Sequence, residues 1–141
     1  MLRLLFVVLP LLSVLACGSA ADIDGEWTLR TVAGKSPRDS AFAAFCELPS
    51  ESTYRFQGRS WTSVHKYNSR SRCNEDAVAH LAEVDSGAFR VAGDTIHLMD
   101  RDTTQGVRGW VGYFIRHSRD TLITWGSEFD PGASIYVRSK S

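Results

Sequence analysis

With 16 Lys and Arg balanced by 16 Asp and Glu over 141 residues, the chain has no net charge to draw it onto a polyanion, which argues against nucleic acid as a partner. A hydrophobic share of 43% and an aromatic share of 11% exclude an intrinsically disordered chain, and the length fits one ordinary domain with its own core. Three cysteines without a CxxC pair give no support to a zinc ribbon or a thioredoxin-like redox site.

The first predicted element precedes the fold. Arg3, the apolar run 4–12 and the exit through Ser13, Val14, Leu15 and Ala16 read as a secretory signal peptide over residues 1–16. Its apolar stretch falls short of the roughly 20 residues that a membrane-crossing helix needs. Cys17 follows at once, similar to the lipobox of bacterial lipoproteins, so lipid attachment is expected at Cys17, with residues 17–22 as a lipid-anchored tether. The competing outcome, cleavage after Ser19, Ala20 and Ala21, would release a lipid-free domain, and Leu15 is bulkier than usual for a lipobox. Both take the chain out of the cytoplasm, and the expected lipid-anchored form belongs to the cell envelope, in the periplasm or at the outer membrane. With Cys17 assigned to lipid, Cys46 and Cys73 remain, and outside the cytoplasm such a pair is most simply a disulfide. Two buried free thiols are the alternative.

Over 23–141, Gly, Asp and Ser punctuate segments rich in aromatic and β-branched residues about every eight to twelve positions, the rhythm of a meander of short strands. The first predicted strand is Gly25–Val32, with Trp27, Leu29 and Thr31 on one face and Glu26, Thr28 and Arg30 on the other. Ala33, Gly34 and Lys35 turn the chain, and Pro37 interrupts it. Residues 39–45 read as one short helix at a barrel end, capped by Ser36 or Asp39. Tight turns at Gly58, Gly93 and Asp120 each join a strand to a returning one, over 59–67, 95–100 and 121–125. Residues 77–84 suit a further strand, although Val78, Leu81 and Ala82 have helical spacing, and the last strand covers 134–138. The sum is an all-β chain of eight or nine antiparallel strands, and sequential hairpins favour an up-and-down β-barrel over a sandwich.

The opening Gly25, Glu26, Trp27, followed by Val32, Ala33, Gly34, Lys35, Ser36 and Pro37, resembles that of small bacterial lipocalin-like proteins, where GxW precedes a glycine and proline turn. The ending Tyr136, Val137, Arg138 is similar to their terminal strand. The resemblance implies that Arg138 packs over Trp27 to close the barrel, a cation–π contact worth about 0.5 to 2 kcal/mol. It covers most of the chain in rhythm and about a dozen positions in identity. The long segment between Pro37 and Pro49 departs from the pattern, and no second lipocalin motif stands between Ala77 and Phe89.

No constellation points to catalysis. His65, His80, His97 and His117 lie on separate predicted strands without ligand spacing, no GxSxG elbow is present, and the carboxylate pairs Glu75–Asp76 and Asp100–Asp102 read as solvated turns. Neither an enzyme nor a cofactor is expected. Arg55, Arg59, Trp61, His65, Lys66, Tyr67, Arg70 and Arg72 form a basic, aromatic stretch, read as a solvated hairpin tip. Eight strands enclose a space just wide enough to be filled by side chains or to hold one small ligand, and the short domain tips the expectation toward a plugged or shallow interior. The leading function is still a non-catalytic lipoprotein binding a small apolar ligand, with Trp61 and Tyr113 as ligand contacts. The rival is a protease inhibitor or protein-interaction module, because small periplasmic β-barrel inhibitors of metalloproteases also begin with GxW and carry one disulfide downstream. A scaffolding role is the third reading.

Overall fold

The computed structural model describes residues 20–42, 48–67, 82–100, 110–125 and 132–140. The signal peptide over 1–16, Cys17, Cys46, Cys73 and His80 lie outside the described residues, so the lipid and disulfide expectations stay with the sequence.

Alternating burial along the segments makes each a two-faced ribbon, and eight such ribbons occur among the described residues. They are β1 (Gly25–Val32), β2 (Pro49–Gln57), β3 (Ser60–Tyr67), β4 (Ala82–Ala92), β5 (Thr95–Asp100), β6 (Trp110–Ser118), β7 (Thr121–Trp125) and β8 (Ala133–Arg138). Each pairs antiparallel with its sequence neighbour, and β8 returns to β1, giving a closed up-and-down barrel. Closure leaves no free sheet edge for another chain to extend.

Two expectations are corrected, and two more are covered in part by the described residues. Residues 82–84 are not a separate strand but the start of β4, which continues through Asp85, Ser86 and Gly87, residues that look like a turn. Gly87 is there for space. A Cβ at this position would lie 1.8 Å from the Met99 carbonyl oxygen and 2.8 Å from Trp61 Nε1. Of the expected helix over 39–45, the described residues form a 3₁₀ turn, Ser40–Phe42, in which Asp39 Oδ1 accepts from the Ala41 amide at 2.8 Å, and residues 43–45 lie outside the described ones. Phe42 docks on the core from that turn. On β1, Thr31 does not share the inner face. The pairing with β8 slips between Leu29 and Thr31, so Arg30 is the extra residue of a bulge and Val32 becomes the buried one. Of the expected tether over 17–22, the described residues belong to a 3₁₀ turn, Ala20–Ile23, in which Ile23 is fully buried.

The two ends of the barrel differ. At one, β2–β3, β4–β5 and β6–β7 are joined by two-residue turns, in two of which Gly58 (φ 63°) and Gly93 (φ 62°) take the positive φ that such hairpins require. This end is packed shut by Ile23, Trp27, Phe56, Phe89, Ile96 and Leu122. Trp27 is wholly buried, and its indole Nε1 donates to the Ile23 carbonyl at 2.8 Å. Across its other face lies Arg138, with Cζ 4.3 Å from the ring centroid. The remaining connections leave from the opposite end and contain residues 43–47, 68–81, 101–109 and 126–131, which are not described.

Candidate functional site

The half of the barrel away from Trp27 is hollow. Tyr54 on β2, Trp61 on β3, Leu98 on β5, Phe114 on β6 and Tyr136 on β8 point inward, because they share strand faces with the buried core, and they wall a cavity of about 560 Å³. Among the described residues the interior is packed at the closed end and open at the other, where residues 43–47, 68–81, 101–109 and 126–131 lie outside the described ones, so the expectation of a plugged or shallow interior is met at the closed end alone of what is described.

Tyr54 is the hub of the wall. Its ring meets Phe114 at 4.9 Å and Tyr136 at 5.5 Å, both nearly perpendicular, and Phe114 meets Tyr136 at 5.3 Å and 85°. Edge-to-face contacts of this kind hold the rings at fixed angles. Trp61 lies 5.9 Å from Tyr54, and its Nε1 donates to two backbone carbonyls, Ala88 at 3.0 Å and Met99 at 3.1 Å. Its polar edge is thus used inside the wall, and its ring borders the cavity.

The polar groups are few and placed differently from one another. Ser52 is fully buried, and its Oγ lies 2.8 Å from His65 Nδ1 and 2.9 Å from the Tyr136 hydroxyl. One hydroxyl carries one proton and two lone pairs, so these contacts form a chain from β3 through β2 to β8. Ser63 is equally buried, at 1% exposure, and lies at the cavity wall between Trp61 and His65, and among the described residues its Oγ has no hydrogen-bond partner. Asp85, paired across from Ser63, lines the cavity too, and no Lys or Arg does so among the described residues.

Of the two expected ligand contacts, Trp61 is buried in the wall, whereas Tyr113 stands at the cavity edge, 42% exposed and in register with His97. Phe114 takes the inner place on β6. Sequence reading missed Ser52, Ser63 and Tyr136. The first two could have been found by extending the alternation of inward aromatics, since Ser52, Tyr54 and Phe56 alternate on β2 and Trp61, Ser63 and His65 on β3. The basic, aromatic stretch does not form one surface. Trp61, His65 and Tyr67 face the cavity, while Lys66 pairs with Glu51 at 3.1 Å and Arg55 with Glu26 at 3.4 Å. Arg70 and Arg72 lie outside the described residues.

A second hollow, about 850 Å³, lies at the closed end among Asp22, Arg116, Arg119, Asp120 and Arg138. Its charges largely answer one another. Arg138 Nε lies 3.3 Å from Asp120, and Arg116 Nη1 lies 3.7 Å from Asp22, although Arg116 Nη2 is buried without a hydrogen-bond partner among the described residues. Among the described residues no group of three or more His, Cys, Asp or Glu is placed to hold a metal ion.

Comparison with protein-family models, curated proteins and solved structures found no match to this chain.

Proposed function

We propose that the barrel is a non-catalytic, lipocalin-like binding protein of the cell envelope, anchored by lipid at Cys17, which takes a small and largely apolar ligand into the cavity. The observation that carries this reading is the cavity of about 560 Å³ walled by aromatic rings, within the roughly 300 to 1,000 Å³ typical of small-molecule sites. Burial of apolar ligand surface would supply the affinity, at about 25 cal/mol per Å² before the costs of association. Ser52 and His65 have the atoms of a nucleophile and a base, but the full burial of Ser52 and its second contact with Tyr136 suit a structural strut. The stacking of Arg138 on Trp27 supports the lipocalin-like kinship.

Native mass spectrometry of the protein isolated from its own envelope tests the reading. We expect an acyl increment on the residue 17–141 chain and a retained small molecule. That molecule should be lost in Gly112→Phe, which fills the cavity from a position where an added Cβ meets nothing within 4 Å. A ligand-free wild type, with no ligand taken up on exposure to envelope extract, would refute the binding role.

The second reading, a protein-interaction module, is favoured by Tyr113 and Trp125, 42% and 48% exposed at the hollow end, and by the cross-strand pair Val64 and Val84 on the outer wall.

A further inference from the structure

We infer that the packed end of the barrel rests on the membrane holding the Cys17 lipid, with Arg59, Arg119 and Lys140 against anionic phospholipid headgroups and the hollow end turned away. The inference rests on the lipid attachment proposed above and adds the surface that this attachment presents to the membrane.

The N-terminal turn is fixed to one end of the barrel. Ile23 is fully buried and its carbonyl accepts from the Trp27 indole, Asp24 Oδ1 accepts from the Gly58 amide in the β2–β3 turn at 3.1 Å, and Arg138 Nη2 donates to the Asp22 carbonyl at 2.6 Å. Three peptide steps separate Cys17 from Ala20, where this turn begins. Whatever their conformation, they reach at most about 11 Å. β2, with nine residues, extends about 30 Å, or about 20 Å along the axis of a barrel with ordinary strand tilt. Acyl chains seated in a bilayer therefore keep the packed end beside the headgroups, and the barrel is long enough for the hollow end to stand clear of them.

Reach alone would let the barrel lie on its side, and charge favours the upright pose. Asp22, Asp120 and Glu26 already face Arg116, Arg138 and Arg55, while the Asp24 and Asp94 carboxylates accept from the Gly58 amide and the Thr95 hydroxyl. Beyond these contacts Arg59 and Arg119, in the β2–β3 and β6–β7 turns, and Lys140, just after β8, are exposed on the same rim. Each Lys or Arg held at an anionic bilayer surface strengthens attachment about fivefold. The hollow of about 850 Å³ beside Arg119 and Arg138 gives a headgroup room to enter, and its two carboxylates are among those already paired. With this end down, the cavity lies on the aqueous side of the protein.

The three lysines of the chain report the orientation: Lys140 at the packed end, and Lys35 after β1 and Lys66 on β3 at the hollow end. The lipid-modified protein, its acyl mass first verified, is placed in nanodiscs of phosphatidylcholine with or without phosphatidylglycerol, and acetylation at each lysine is followed by mass spectrometry. Phosphatidylglycerol should slow Lys140 at least about threefold and leave Lys35 and Lys66 within about twofold. Arg59→Glu combined with Arg119→Glu should abolish the protection of Lys140. Protection of Lys35 or Lys66 instead, equal rates at Lys140 in both lipids, or protection undiminished in the double variant would each overturn the inference while leaving the lipid attachment standing. A chain that carries no acyl mass and stays out of the nanodiscs would overturn the attachment and this inference together.

Discussion

Replacing Arg138 tests whether the barrel is closed by one side chain. Its Nη1 donates to the Asp24 carbonyl at 2.5 Å, its Nη2 to those of Asp22 at 2.6 Å and Arg119 at 3.3 Å, and its Nε faces Asp120 at 3.3 Å. Hydrogen bonds from a cation are worth about 1.5 kcal/mol or more where water is excluded, and less here, because the freed carbonyls of Asp22 and Arg119 are close to solvent. The Trp27 stack adds about 1 kcal/mol. The ion pair with Asp120, whose side chain is 66% exposed, contributes at most about 0.5 kcal/mol. Arg138→Met should therefore cost about 3 kcal/mol, read by urea unfolding followed through tryptophan fluorescence, and lower the melting temperature by about 12 °C. Arg138→Lys, which keeps the charge but not the planar fork, should recover only about 1 kcal/mol of that loss. Arg119→Met, which removes a neighbouring exposed guanidinium, should change stability by less than about 0.5 kcal/mol. A loss below about 1 kcal/mol in Arg138→Met would refute the idea that this residue holds the first and last strands together.

The two inward serines should respond in opposite directions. Ser52→Ala removes the shared partner of His65 and Tyr136 and should cost about 1 to 3 kcal/mol in urea unfolding, whereas Ser63→Ala should leave the ligand-free protein unchanged or up to about 1 kcal/mol more stable. Gly87→Ala should lower stability by more than about 3 kcal/mol and shift tryptophan emission, since its methyl group has no room between Met99 and the Trp61 indole. Gly112→Leu should fold, gain at least about 0.5 kcal/mol from the better strand former, and retain less small molecule in native mass spectrometry.

The sequence revealed the barrel because its strongest signals are local. Alternating Trp27 and Leu29, and the two-residue turns at Gly58, Gly93 and Asp120, each state a strand or a hairpin within a few residues. What it concealed depends on pairing. The slip at Arg30 that moves Val32 inside is set by β8, more than 100 positions away, and nothing in residues 29–32 announces it. Gly87 looks like a turn residue until Trp61 and Met99 are brought against it. The same applies to the site. That one end is packed and the other hollow follows from which inward side chains sit at the same height, a relation between strands, and the contrast between Ser52 and Ser63 appears only once the facing β8 and β4 are in place.

The seam between β1 and β8 joins the first described strand of the barrel to the last. A nascent chain therefore carries an unmated β1 margin until residue 138 has emerged, and closure has to wait for β8. A premature stop that removes only the final rung would leave Trp27 uncovered and two margins exposed, turning a self-contained cylinder into an open sheet prone to join its neighbours.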